Sequence, residues 1–403
     1  MTTATPSAKG ALAIDGGSPV ADSPVPFMAV GLSADDIALA TEVLESGMLR
    51  AASKCAALEE QFAGKSSAAH ALTCANGTCA LQLAYGALLE PGDEVICPAW
   101  TYVATASMLV AQGCRVVFCD SLDTSYQIDP GDVRKRITPN TKAIAATHIY
   151  GIPVDINAIQ AIAKEHDLKV IYDCAQAHLA TYDAPDGTTH GIGAYGDACT
   201  YSFYATKNLG TGEGGIITVN SDDLATDIAL LRSHGEPEKY LHTRIGFNYR
   251  MNDITGAIGL SKLQRLDEET DRRRAVAKAY HERFDAIEGI ARPHPTAGSN
   301  PAWHLYTLRP EAGAFTRDRD GFIEALKAEG IPCAIHYPKS LTDQPAFAET
   351  VDRNARDFGD EHPPVARRLA QTVFSIPMHQ NLTEAQIDAV ATAVAKVADA
   401  SRA

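Results

Sequence analysis

Short apolar runs of strand length, separated by segments of helical periodicity, constrain this chain more than any other feature. Residues 94–102, 114–120, 143–150, 169–173 and 198–203 are nearly uninterrupted apolar runs, and helical patterns such as residues 104–112 and 156–166 lie between several of them. A strand that is apolar on both faces must be covered on both faces. The pattern therefore predicts an α/β fold, a mainly parallel sheet between two layers of helices. In such sheets ligands gather outside the carboxyl ends of the strands. Those ends carry Asn76 to Thr78, Trp100, His148 and Tyr150, Asp173 to His178, and Ser202 to Lys207.

One of these ends stands out chemically. Between the apolar run that ends at Phe203 and the next, residues 215–219, a single lysine, Lys207, sits in a small and polar turn with glycines at 210, 212, 214 and 215. Partial burial lowers a lysine pKa until the neutral amine can attack a carbonyl, and glycines let backbone approach a flat ligand. The plainer reading is a polar tip between two strands. Asn76-Gly-Thr78 follows another apolar run, 71–74, and precedes a helical pattern over 79–89. Free N–H groups at a helix start, with a threonine hydroxyl, hold phosphate well. Asn-Gly is also a common turn. Asp173 ends a buried run 34 residues before Lys207. A carboxylate, an amine nucleophile and a phosphate cradle together are what pyridoxal 5'-phosphate (PLP) needs, because its ring nitrogen must stay protonated opposite an anion.

Composition excludes other partners. A formal charge of −15 argues against nucleic acid. No apolar run approaches the roughly 20 residues of a membrane span, and residues 1–18 lack a signal pattern, so a cytoplasmic location is expected. The nine cysteines show no Cys-x-x-Cys spacing and read as buried hydrophobes, with no metal site.

The chain divides, on this reading, into an N-terminal arm (1–26), a large domain (27–264) and a smaller C-terminal α+β domain (265–403). Ser33 caps a helix over 33–46. A second helix lies near 56–62, and 254–286 forms one or two long helices. Strands at 303–308 and 333–337, and helices at 319–329 and 384–400, make up the small domain.

Six motifs in order and spacing carry a resemblance: Asn76-Gly-Thr78, Pro98-Ala-Trp-Thr-Tyr102, Asp173-Cys-Ala-Gln-Ala-His178, Ser202-Phe-Tyr-Ala-Thr-Lys-Asn208, Gly212-Glu-Gly-Gly215 and Gly246-Phe-Asn-Tyr-Arg-Met-Asn252. Over about residues 25–395 the chain resembles the DegT/DnrJ/EryC1/StrS family of sugar and cyclitol aminotransferases. The resemblance implies PLP fold type I, with a seven-stranded sheet in the large domain. It implies that Lys207 forms the internal aldimine and shuttles protons, and that Asp173 pairs with the pyridine nitrogen. It further implies that Gln176 bonds the ring hydroxyl and Trp100 stacks on the ring, with Gly77, Thr78 and Ser202 on the phosphate. Asn248 matches a position that reaches the neighbouring subunit's phosphate, which implies a homodimer with shared active sites. Tyr102, His178, His304, His336 and Tyr337 are expected on the substrate side.

The implied reaction moves an amino group from L-glutamate or L-glutamine to a nucleotide-linked keto sugar or a ketocyclitol, as in amino-sugar, aminocyclitol and antibiotic biosynthesis. Two alternatives stay open: a PLP-dependent sugar dehydratase or aminoshikimate-type synthase of the same family, and a non-catalytic regulatory homologue. Leu49-Arg-Ala-Ala52 departs from the family pattern, where a glycine is expected.

Overall fold

The computed structural model describes residues 10–359 and 362–403. The apolar runs become strands β1 (His70–Cys74), β2 (Glu94–Pro98), β3 (Arg115–Cys119), β4 (Thr141–Thr147) and β5 (Lys169–Asp173). A hairpin follows, β6 (Thr181–Asp183) and β7 (Thr189–Gly191), and then β8 (Ala198–Ser202) and β9 (Gly215–Val219). The central seven-stranded sheet has the order β1-β9-β8-β5-β4-β2-β3. Strands β3, β2, β4, β5 and β8 are parallel neighbours, and β9 runs antiparallel to both β8 and β1. Along β2, Val95 and Cys97 join the core on one face while Ile96 joins the core on the other, as a period of two requires.

Helices cover both faces. On one lie α3 (Gly77–Leu88) and α4 (Val103–Ala111), whose Leu81, Leu83 and Leu109 share a core with β2 and β3. On the other lie α2 (Ser53–Ser66) and α6 (Ile156–His166), with Leu58, Phe62, Ile159 and Ile162. Helix α1 (Ala34–Ser46) starts at Ser33, whose Oγ accepts from Asp36 N while Asp36 Oδ2 accepts from Ser33 N. The departure at Leu49 to Ala52 also has an account. Ala52 offers no capping side chain to α2, and the buried Asp253 carboxylate accepts from Ala52 N, Lys54 N and Cys55 N instead. Between these elements the reading missed α5 (Pro130–Arg136) and the β6–β7 hairpin, which are short and largely polar, while α7 (Asp222–Arg232) follows β9.

The long helical stretch divides into α8 (Asp253–Leu263) and α9 (Leu266–Phe284). A third core forms around α9, with strands β10 (Ile290–Ala291), β12 (Tyr306–Pro310) and β13 (Phe374–Ile376), and helices α10 (Arg319–Ala328) and α13 (Glu384–Ala400). Strand β11 (Ser299–Asn300) pairs instead with β6. Helices α11 (Ala348–Phe358) and α12 (Pro364–Thr372) reach back to the large sheet. Asn354 on α11 accepts from Phe118 N and donates to Val116 O, so a side chain covers the exposed edge of β3.

Two expected strands differ. Trp303 has a left-handed φ of 50°, and the strand begins only at Tyr306. The expected strand at 333–337 is not one. Ala334 makes a single bridge to Ser375, and the residues after it turn toward a cavity. None of the helices among the described residues is long and apolar enough to cross a membrane.

Residues 10–26 of the expected arm pack on the third core, where Leu12 and Val25 are buried; residues 1–9 lie outside the described residues. Glu329, fully buried, accepts from Ala13 N at 2.8 Å and Val20 N at 3.0 Å, and pairs with Lys396 at 2.9 Å. Lys396 Nζ also donates to Ser18 O. A buried charge left without its partner is strongly destabilising, so Lys396→Met is expected to cost about 3–5 kcal/mol in urea unfolding. A loss under about 1 kcal/mol would show that this clasp is not closed.

Candidate active site

The carboxyl ends of β4, β5 and β8 and the start of α3 open onto one cavity of about 830 Å³. Asn76, at the N-cap of α3, accepts from Cys79 N at 2.9 Å. The N–H groups of Gly77 and Thr78 have no partner among the described residues and lie on the cavity wall with Ser202. Glycine is required at both contact points of this corner. A Cβ on Gly77 would stand 2.7 Å from Ser202 Cβ, and one on Gly215 would stand 2.6 Å from the Asn76 carbonyl. An anion set there would meet free N–H groups, a helix N-terminus and a hydroxyl.

Asp173 ends β5 and is 5% exposed. Its Oδ2 accepts from Thr105 Oγ1 at 2.7 Å and its Oδ1 from Ala175 N at 3.0 Å. Burial pushes its pKa up, while these bonds and Lys207 pull the other way. Thr105 is held in turn by Thr101 and Thr147 at 3.1 and 3.4 Å. Sequence reading missed Thr105, although its place on the helix after the Pro98 to Tyr102 motif was a usable signal.

Lys207 is largely buried, and Nζ has no hydrogen-bond or ion-pair partner among the described residues. Burial lowers its pKa to about 8, and Asp173 opposes that shift. An amine with this pKa is partly neutral near pH 7, as a nucleophile and proton carrier must be.

The structure sorts the other predicted residues. Gln176 lies on the wall, its Oε1 accepting from Tyr150 N at 2.7 Å and its Nε2 donating to Tyr337 Oη at 2.9 Å. Tyr102, His304, His336 and Tyr337 are also on the wall. Trp100, the expected stacking residue, is not. It is 1% exposed and lies against Tyr337, with ring centroids 6.1 Å apart. Two residues further on, at the N-cap of α4, Tyr102 is 55% exposed on the wall, its ring centroid 5.8 Å from that of Tyr337. His178 is not on the wall either: it is buried against Tyr201 and Phe203, and burial takes its pKa down to about 3. Asn248 is exposed, away from this cavity, with its backbone bridged to Ser233. Its neighbour Tyr249 faces the wall and donates to Gln82 at 2.8 Å, since successive residues of extended backbone face opposite ways. Met28, Gln82, Tyr204, Glu213 and Tyr249 were not foreseen on the wall.

A model of the DegT/DnrJ/EryC1/StrS aminotransferase family matches residues 31–395. The UDP-N-acetyl-3-dehydro-alpha-D-glucosamine 3-aminotransferase of Acidithiobacillus ferrooxidans is 38% identical over 340 residues, 84% of this chain and 87% of its own. The dTDP-3-amino-3,4,6-trideoxy-alpha-D-glucose transaminase of Streptomyces venezuelae is 33% identical over 381 residues, 91% of this chain and 95% of its own. The crystal structure of S. venezuelae DesV in complex with a ketimine intermediate superposes with a TM-score of 0.86 at 34% identity, covering 94% of this chain and 99% of that one.

The opposing influences on Lys207 give a direct test. In the cofactor-free protein, acetylation of Lys207, followed by mass spectrometry, should rise with a midpoint near pH 8 rather than 10.5. Asp173→Asn removes the anion that holds the proton on, so it should move the midpoint lower still. A midpoint unchanged by that substitution would mean that the two groups do not sense each other.

Proposed function

The chain belongs to the DegT/DnrJ/EryC1/StrS aminotransferase family, and from that premise we propose that it uses PLP to carry an amino group from L-glutamate or L-glutamine to a nucleotide-linked keto sugar. The observation that carries this reading is the convergence of an unpaired, partly neutral Lys207, the buried Asp173 and the free N–H groups of Gly77 and Thr78 on one cavity.

The residues present fit the cofactor. Gly77 N, Thr78 N and Ser202 Oγ would hold its phosphate, Asp173 its ring nitrogen and Tyr102 its ring face. Gln176, fixed by Tyr150 and Tyr337, would stand beside the ring hydroxyl. When bound, PLP supplies an aldehyde that accepts amines and a ring that withdraws electrons from the bonds being broken. The protein's own work is then proton traffic and positioning. Lys207 Nζ takes the α-proton from the amino-acid donor in the first half-reaction and returns a proton to the acceptor carbon in the second. Thr105 and Ala175 N keep the Asp173 carboxylate in one orientation throughout both.

A homodimer belongs to the same reading. Lys207 is the one lysine or arginine on the described cavity wall, yet both substrates carry negative charge. The loop that holds Asn248, Arg244 and Arg250 also exposes Tyr240, Leu241 and Ile245 at 81%, 51% and 92%. An apolar surface of that kind is suited to burial against a second copy, which would bring the polar residues of the loop to the partner's cavity. A cytoplasmic location goes with this reading and with nine unpaired cysteines.

The test is a half-reaction assay followed by an acceptor panel. Protein incubated with PLP and L-glutamate should release 2-oxoglutarate, and the aminated protein should then convert a nucleotide-linked keto sugar in preference to free ketocyclitols, read by mass spectrometry. Lys207→Ala should abolish both steps. Release of no oxo acid from either L-glutamate or L-glutamine would end the aminotransferase reading, and conversion of ketocyclitols alone would overturn the acceptor class.

A further inference from the structure

One lysine must serve two substrates in turn, an acidic amino acid and a polyhydroxylated acceptor, within a single cavity. A side chain that tells them apart therefore has a task. His304 is 6% exposed, and its ring lies on the cavity wall. Its backbone N–H donates to Tyr150 O at 2.9 Å, which fixes its place. Its ring Nδ1 is 3.3 Å from Oδ1 of Asn208, the residue that follows Lys207.

Asn208 is itself 7% exposed, and its orientation is determined by its other bond. Its Nδ2 donates to Ala302 O at 3.0 Å, and only the amide nitrogen can face a carbonyl oxygen. Oδ1 is thereby left toward His304. An amide oxygen only accepts, so the proton of the imidazole sits on Nδ1. Burial, with Lys207 and Arg273 nearby, holds the ring's pKa well below its usual value, so the ring carries a single proton. Nε2 then bears a bare lone pair, has no partner among the described residues and is not sealed in. His336, also on the wall, lacks such a lock: its Nδ1 meets Ser375 Oγ at 3.1 Å, and a hydroxyl can donate or accept.

We propose that His304, held by Asn208 with its Nε2 lone pair toward the cavity, recognises a hydroxyl group of the amino acceptor. The proposal rests on the aminotransferase reading and names the group that separates its two substrates. A lone pair needs a donor, which a sugar hydroxyl supplies. The two carboxylates of L-glutamate, the donor used in the test, offer lone pairs only and gain nothing at this position. His304 thus acts by contact, and Asn208 is a positioning residue behind it.

The experiment uses the full-length protein loaded with PLP, in two separately timed steps: L-glutamate first, then UDP-N-acetyl-3-dehydro-glucosamine. With His304→Leu, kcat/KM for the sugar step should fall about 10- to 100-fold, the loss for one hydrogen bond left unmade. The glutamate step should stay within about threefold. His304→Gln, whose amide oxygen can accept, should recover part of the sugar step.

A second measurement needs no variant at His304. The ¹⁵N signals of the His304 ring in the wild-type protein should show Nδ1 protonated and Nε2 bare, and Asn208→Ala should move both toward a tautomer average. A protonated Nε2 in the wild-type protein, or equal losses in the two steps, would overturn the assignment. A wild-type protein that releases no 2-oxoglutarate would fail earlier, before any sugar is added. That result would remove the functional reading, while the ring signals would still decide the tautomer.

Discussion

Much of this architecture is arranged around one buried carboxylate. Asp173 lies where β5 ends in the middle of the large sheet, and a charge is tolerable there only if its oxygens are bonded. Thr105 meets one oxygen from α4 and Ala175 N meets the other from the following turn. The threonine is steadied by Thr101 and by Thr147 at the end of β4. Two strands and a helix are therefore placed relative to one anion. The same anion resists the fall in the Lys207 pKa that burial imposes, and the balance of the two falls at about 8.

Close packing does as much for the anion corner as charge does. Helix α3 can start where it does only because Gly77 lies flat against Ser202 and Gly215 lies flat against Asn76. Those contacts bring the first free N–H groups of the helix to the end of the sheet. The corner is thus built from backbone, and its geometry depends on what is missing from two side chains rather than on any charged group.

The sheet was legible because its strands are apolar on both faces, and the runs 169–173 and 215–219 coincide with β5 and β9. Lys207, Asp173 and the Asn-Gly-Thr turn were legible because each stands at the end of such a run. Elements whose amphipathic pattern depends on distant partners were harder to see. Helix α12 opens at Pro364, and its first N–H groups are capped by Asp120 from the far side of the sequence. The run 333–337 looked like a strand because it is apolar, but its histidine and tyrosine are used on the cavity wall. That Trp100 lies behind the wall while Tyr102 is on it, or that Tyr249 faces this cavity while Asn248 faces outward, turns on which way a side chain points at the end of a strand or in a loop. Composition carries no such information.

The clasp at Glu329 has a mechanical side. The segment it holds continues through Pro26, whose carbonyl accepts from His379, to Phe27, which stacks on His336, and to Met28 on the cavity wall. Part of the lining near the beginning of the chain is therefore tied to the third core through Pro26 and His379, and to the core of the sheet that bears Lys207 through Met28. Met28 and Tyr337 thus work as stitches in a seam, fastening the two cores to each other at the cavity instead of riding on one of them.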